Sequence, residues 1–123
     1  MMINRNIKGM LRLEAATILT LSSIAYFQYG QNWQLFALLF LLPDLAILGY
    51  TVNNKTGAVL YNMTHSLIGP GLCLGISWLV LKSELGISIG LIWFAHVGFD
   101  RTLGYGLKYA SGFRHTHLGI IGR

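Results

Sequence analysis

The sequence predicts an all-α integral membrane protein, a four-helix bundle with its N-terminus and C-terminus in the cytoplasm. The first observation is composition: 54% of the residues are hydrophobic and 11% are charged, whereas soluble domains are about a quarter charged. The second is a set of four apolar windows, near residues 10–29, 33–50, 57–81 and 85–104, each close to the about 20 residues that cross a bilayer. The third is charge: eight of the nine Lys and Arg residues fall on one side of these windows and Lys82 on the other. The positive-inside rule therefore places both ends in the cytoplasm.

The first two windows each contain one acidic residue. Glu14 lies about one turn inside the cytoplasmic end of the first window, after a short basic arm. In the second window Pro43 is expected to kink the helix, because proline cannot donate its backbone nitrogen. The kink falls beside Asp44.

The third and fourth windows place histidines on helix faces. Asn62 and His65 are three residues apart, so they share a face. Pro70, with glycines on either side, is expected to bend or break the third helix at mid-membrane. His96 and Asp100 are four apart on the fourth helix, which puts both side chains on one face, one turn apart.

The chain is a single domain, residues 1–123, that ends in a basic, glycine-rich tail, residues 105–123. The tail is too short to cross the membrane again. It is expected to lie along the cytoplasmic interface or to fold back over the mouth of the bundle. Two histidines, His115 and His117, lie in this tail.

Five ionisable residues fall in the cytoplasmic half of the predicted bundle. At a rise of about 1.5 Å per residue, Glu14 and Asp100 lie roughly 6 Å deep, Asp44 roughly 9 Å, and His65 and His96 roughly 12 Å. Ionisable groups at such depth are costly in lipid. The sequence therefore predicts a polar cavity that faces the cytoplasm.

Two imidazoles and two carboxylates at similar depth are suitable ligands for a divalent transition metal, with zinc the first choice. The predicted ligands are Asp44, His65, His96 and Asp100. An open coordination position would hold a water of lowered pKa, able to attack an ester, amide or phosphoester. This interpretation makes the protein a metal-dependent hydrolase of a lipid or another membrane-partitioned substrate.

Five further polar residues complete this interpretation of the site. Glu14 is the candidate general base, and Arg101 is the candidate group that orients an anionic substrate. Asn62, His115 and His117 are expected to line the polar cavity, with the two tail histidines closing over the site or supporting its ligands.

Other interpretations remain open. In one, the protein is non-catalytic, and the same His and Asp side chains are hydrogen bonds that fix helix packing in a structural, assembly or small-ligand-binding protein. Haem between His65 and His96 is disfavoured by the two neighbouring carboxylates. An ion pathway is disfavoured because the ionisable groups stop halfway across the bilayer.

The expected partners follow from charge and from small residues. The net charge of +5 comes from groups at the membrane surface, which favours anionic lipid headgroups and not nucleic acid. Gly71 with Gly75, and Gly86 with Gly90, have the small-xxx-small spacing of close helix packing, within the chain or in a homo-oligomer.

Several short motifs resemble a known family. They are Arg12-Leu13-Glu14, Pro43-Asp44-Leu45, Leu48-Gly49-Tyr50, Tyr61-Asn62 with His65, Ala95-His96, Gly98-Phe99-Asp100-Arg101, Leu103-Gly104-Tyr105-Gly106-Leu107-Lys108-Tyr109 and Thr116-His117-Leu118-Gly119. Together they resemble the bacterial family of small membrane proteins called domain of unknown function 4260. The resemblance implies a four-span protein of the bacterial cytoplasmic membrane and brings no established activity. More loosely, the Pro-Asp pair, the intramembrane histidines and the late Thr-His are similar to membrane-bound metal-dependent hydrolases.

Overall fold

The computed structural model describes residues 4–28 and 32–121 of the chain. Residue 29 of the first predicted span and residues 122–123 of the predicted tail lie outside this part. In chain order the elements are α1 (Arg5–Gln28), α2 (Trp33–Phe40), a 3-10 helix (Leu42–Thr51), α3 (Asn54–His65), α4 (Ile68–Ile76), a π-helical turn (Ser77–Leu81), α5 (Glu84–Leu103), and the two short strands β1 (His115–Thr116) and β2 (Gly119–Ile120).

The structure is helical apart from the tail hairpin, as predicted, and three of its helical segments are long and apolar enough to cross a membrane. These segments are Arg5–Gln28, Trp33–Thr51 and Asn54–Leu81. Their outward faces carry large exposed apolar side chains such as Leu38, Ile68 and Leu79. Such continuous apolar exposure is suited to lipid and not to water.

The fourth predicted span corresponds to α5, which is not among those three segments. Its C-terminal half carries His96, Asp100 and Arg101, and these residues lower its mean hydropathy. Helix α5 is also the most buried helix of the described chain, with Ile92, Ala95 and His96 almost inaccessible. Because its neighbours cover it, α5 does not need an apolar surface all round.

Side-chain caps define where the helices begin. The Asn32 side chain accepts from the backbone of α2, the Asn53 side chain accepts from the backbone of α3, and the Ser83 hydroxyl accepts from the backbone of α5. Each cap satisfies a backbone N–H that the first helical turn leaves without a partner. Helix α5 ends at Gly104, whose φ of 99° is the left-handed conformation that glycine adopts without strain.

Both prolines, Pro43 and Pro70, interrupt regular α-helix. The chain changes from α to 3-10 geometry at Leu41, and Pro43 lies at the start of the 3-10 segment. The second interruption lies at Ser66 and Leu67, not at Pro70 itself. The reason is that a proline ring clashes with the carbonyl four residues earlier, which here is that of Ser66. The predicted break of the third helix by Pro70 is therefore present, one turn before the proline itself.

Glycines allow α5 to pack closely on its neighbours. A Cβ at Gly98 would lie 2.8 Å from the Ala15 carbonyl oxygen, and one at Gly90 would lie 3.0 Å from the backbone of Leu74. The predicted Gly86–Gly90 face is thus in contact with α4 and the π turn of the same chain. Gly75 has no atom within 4 Å of such a Cβ among the described residues.

The tail folds back onto the helices, which is one of the two predicted alternatives. The Asn62 side-chain nitrogen donates to the carbonyl of Lys108 at 2.9 Å, and the backbone nitrogen of Lys108 donates to the Asn62 side-chain oxygen at 2.6 Å. Strands β1 and β2 then form a hairpin in which Thr116 is opposite Gly119. Leu118 at the hairpin turn is 1% exposed, so the tail is packed structure.

Candidate metal centre

Four side chains from three helical segments meet between the 3-10 helix, α3 and α5. Asp44 lies in the first turn of the 3-10 helix, directly after Pro43. His65 is the last residue of α3, immediately before the chain breaks. His96 and Asp100 project from α5 one turn apart. The two proline-induced interruptions therefore lie next to Asp44 in the 3-10 helix and next to His65 at the end of α3.

The four groups approach each other through one atom each. His65 Nε2 lies 3.0 Å from His96 Nε2, 3.2 Å from Asp44 Oδ1 and 3.2 Å from Asp100 Oδ2. His96 Nε2 lies 3.1 Å from Asp44 Oδ1 and 3.6 Å from Asp100 Oδ2. One donor atom from every residue falls within 4.8 Å of all the others.

The five distances that involve a histidine nitrogen are close to the edges of a coordination tetrahedron. Zinc bound to nitrogen and oxygen at about 2.0 to 2.2 Å implies ligand–ligand distances of about 3.3 to 3.6 Å. Five of the six distances lie within a few tenths of an ångström of that range. A hydrogen bond joins two atoms along one N–H direction, whereas each Nε2 here faces three other donor atoms. The arrangement could therefore hold a shared cation.

The surroundings of His65 orient its free lone pair toward this point. His65 Nδ1 lies 2.9 Å from the carbonyl oxygen of Tyr61. With the imidazole proton on Nδ1, this contact is a hydrogen bond to the carbonyl oxygen and Nε2 is available as a ligand. With a proton on Nε2, the same ring donates to Asp44 or Asp100 instead.

Aromatic rings hold the two imidazoles in place. The Tyr61 ring is stacked on the His65 ring, with centroids 3.7 Å apart and planes 3° apart. The Tyr61 hydroxyl donates to Asp100 Oδ2 at 2.9 Å. Phe40 meets the His96 ring edge-on at 5.0 Å. One tyrosine thus supports two of the four ligands, as outer-shell groups of metal sites do.

The centre is buried on three sides and open on one. The side chains of His65 and His96 are 3% and 2% exposed, and that of Asp100 is 13% exposed, whereas the Asp44 side chain is 41% exposed. Access to the four donor atoms is therefore from the Asp44 side.

The predicted catalytic residues Glu14 and Arg101 meet at a neighbouring cavity and not among the four donors. This cavity has a volume of about 60 Å³ and is also lined by His117 and Leu67. Arg101 connects the two places, because its Nη2 donates to the carbonyl oxygen of His65 at 3.3 Å. Burial and the nearby positive charges of Arg101 and Lys108 lower the pKa of His117.

The remaining two predicted residues have structural contacts of their own. The Asn62 side chain pairs with the backbone of Lys108, as described above, and so secures the tail. His115 is exposed in strand β1, where its Nδ1 lies 2.7 Å from Ser111 Oγ. The structure therefore does not place Asn62 or His115 with the four donors, and His117, whose Nδ1 accepts from the Leu107 backbone at 2.9 Å, lies beside Arg101.

Two residues that the sequence analysis did not single out belong to the surroundings of the centre. Tyr61 is four residues before His65, a spacing that places both on one helix face and could have identified it. Lys108 is 5% exposed, and its Nζ lies 4.5 Å from the Tyr61 ring centroid and 3.9 Å from that of Phe113. Burial lowers the pKa of Lys108 to about 8, against an opposing effect of Asp100.

The fold and the centre together define the class: a helical protein with membrane-length apolar segments and a buried His₂Asp₂ cluster that could hold a metal ion. The family model for a domain of unknown function, DUF4260, matches residues 8–121, so the chain belongs to that family. The resemblance seen in the sequence is thereby confirmed. No curated protein and no solved structure matches the chain, and the looser likeness to membrane-bound hydrolases has no counterpart in these comparisons.

Proposed function

We propose that this protein is a metal-dependent hydrolase of the bacterial cytoplasmic membrane, acting on a lipid or another membrane-partitioned substrate. In this proposal four helical segments form one bundle with both termini in the cytoplasm. The segments are α1, α2 with the 3-10 helix, α3 with α4, and α5. The convergence of Asp44, His65, His96 and Asp100 within 4.8 Å is the observation that carries it. Four potential ligand atoms this close together support a shared cation.

The proposed ion is zinc, because two imidazoles and two carboxylates in a compact set suit a borderline divalent cation. A divalent ion held by Asp44, His65, His96 and Asp100 would polarise a carbonyl or phosphoryl oxygen and make a bound water more acidic. In ester hydrolysis, water adds to the carbonyl carbon and the bond from that carbon to the alcohol oxygen breaks. The proton removed from water passes to the departing alcohol, so the products are an acid and an alcohol.

The chain's other residues have proposed roles in the same reaction. Arg101 lies against the backbone of His65, which makes it the proposed contact for an anionic group of the substrate. Glu14 lines the same small cavity as Arg101 and is the proposed general base. A base must reach the reacting water directly or through one other water. The Glu14→Gln variant tests this role, since it should lose turnover and keep bound metal.

The test is hydrolysis of phospholipid esters by the zinc-loaded protein in lipid nanodiscs, followed as release of free fatty acid. His96→Gln should abolish hydrolysis and weaken zinc binding while the helices persist, because glutamine keeps a hydrogen-bonding group but is a poor zinc ligand. The matched control is His115→Gln, the same exchange at an exposed histidine in the tail. Equal hydrolysis by the two variants, or zinc binding that does not respond to His96→Gln, would refute the proposed function.

A further inference from the structure

An apolar cavity lies next to the segments that carry the candidate metal centre. It has a volume of about 230 Å³ and is formed between α2, the start of the 3-10 helix, α3 and α5. The lining residues are Leu39, Leu42, Pro43, Thr64, Ile89 and Trp93. Leu42 at its margin is 47% exposed, so the cavity opens to the surface that the bilayer would cover.

The cavity and the metal centre share a boundary. Pro43 directly precedes Asp44, and Thr64 directly precedes His65. Thr64 Oγ1 lies 3.2 Å from the Pro43 carbonyl oxygen and 2.8 Å from His65 Nδ1. The cavity lining thus includes the residues that immediately precede Asp44 and His65, and the Asp44 side chain, 41% exposed, is the most exposed of the four candidate ligands.

The lining offers apolar surface to an occupant. Leucine, isoleucine and proline side chains supply most of it, and the two polar side chains are engaged within the protein. The indole nitrogen of Trp93 donates to the Thr64 carbonyl oxygen at 2.6 Å, and Thr64 Oγ1 has the contacts given above. A polar headgroup would lose its hydrogen bonds on entering such a place, whereas a hydrocarbon chain would not.

The cavity extends from the metal centre in a defined direction. Trp93 and Ile89 precede His96 by three and seven residues, so they lie roughly 5 and 10 Å farther along α5, away from its basic end. Leu39 similarly precedes Asp44 by five residues in the apolar segment Trp33–Thr51. A chain in this cavity would run from the metal centre toward the middle of the membrane.

We infer that the substrate carries an apolar chain that occupies this cavity, so that its scissile group lies at Asp44 and the chain extends toward the bilayer midplane. The assignment rests on the proposed function. The occupant is a single acyl-type chain, because about 230 Å³ is less than the roughly 300 to 1,000 Å³ of pockets that enclose whole drug-sized ligands. A lipid of the leaflet next to the basic helix ends has this orientation.

Quenching of Trp93 fluorescence by a fatty acid brominated at mid-chain tests the inference. Replacing Trp33 and Trp78, which are 66% and 58% exposed, by phenylalanine leaves Trp93 as the single tryptophan. The zinc-loaded protein is placed in nanodiscs with increasing mole fractions of the brominated acid. A chain bound in the cavity gives quenching that saturates, whereas random contact with bilayer lipid gives quenching that rises in proportion to mole fraction.

Two matched phenylalanine variants locate the bound chain. Ile89→Phe fills the cavity and should raise the half-saturating mole fraction about tenfold, the equivalent of an ordinary overpacking penalty. Leu85→Phe makes a similar change one turn earlier on the same helix, at a residue that is 58% exposed and outside the lining, and should leave the half-saturation point unchanged. Non-saturating quenching, or equal effects of the two variants, would overturn the inference.

Zinc content and ester hydrolysis measured on the same samples separate the two proposals. Bound zinc and hydrolysis together with non-saturating quenching would leave the proposed function standing and remove the chain assignment. Saturable quenching without bound zinc would refute the proposed function and reduce the cavity to a lipid-binding site. Bound zinc, hydrolysis and saturable quenching that Ile89→Phe weakens are the expected results.

Discussion

The Tyr61 hydroxyl provides the sharpest test of how the centre is supported. In the Tyr61→Phe variant the aromatic ring remains stacked on His65, and the donor to Asp100 Oδ2 at 2.9 Å is removed. Loss of a hydrogen bond to a charged acceptor costs about 1.5 to 3 kcal/mol, which corresponds to roughly 10- to 150-fold in a binding constant. Mutation of a residue that supports a metal ligand typically lowers metal affinity by a similar factor, about 10- to 100-fold. We therefore expect zinc affinity to fall by one to two orders of magnitude, as in these cases.

Zinc affinity is measured by competition with a chromophoric chelator in detergent solution, and helix content is followed by circular dichroism. Tyr26→Phe is the matched control, since it removes a hydroxyl that donates to the Asn32 carbonyl oxygen at 2.7 Å, away from the centre. This control should lose about 1 kcal/mol of stability and keep its zinc affinity. Equal zinc affinity in the two variants would refute the role given to Tyr61.

Three further predictions concern packing, the tail and pH. Gly98→Ala should lower the free energy of unfolding by about 1 to 3 kcal/mol, because the new methyl group meets the backbone of α1; Gly75→Ala is the control, and thermal unfolding measures both. Asn62→Ala should speed amide hydrogen exchange at residues 107–109, since it removes both hydrogen bonds to the Lys108 backbone. Unchanged exchange would show that these hydrogen bonds do not hold the tail on α3. Stability should rise between pH 8 and 10.5, because the Lys108 pKa falls from 10.5 to about 8 on folding and the unfolded chain then binds more protons. Lys108→Met should flatten this rise in unfolding midpoints measured from pH 7 to pH 10.

The helices and the four donors could be predicted because both depend on local spacing and depth. Apolar windows indicate where a chain can cross a bilayer, and His96 and Asp100 share a face through their i, i+4 spacing alone. Counting residues from the membrane boundary placed Asp44 and His65 at a similar height. Height and face together were enough to bring these four side chains to one place.

Other features depend on rotation and on long-range contacts, which local spacing does not determine. Glu14 and Asp100 have the same predicted depth, yet Glu14 on α1 points to the small cavity with Arg101 and His117. The pairing of Asn62 with Lys108 joins residues 46 apart in sequence, and no short sequence pattern predicts it. The exact position of the break, one turn before Pro70, depends on the clash of the proline ring with the carbonyl of Ser66.

The most direct test of the metal centre is elemental analysis of the detergent-purified protein beside the His65→Ala plus His96→Ala double variant. We expect about one zinc, manganese or iron ion per wild-type chain, consistent with one four-donor site, and none in the double variant. His115→Gln should retain the metal of the wild type. Wild-type protein that binds no metal even after incubation with zinc would contradict the account and leave a hydrogen-bonded helical protein.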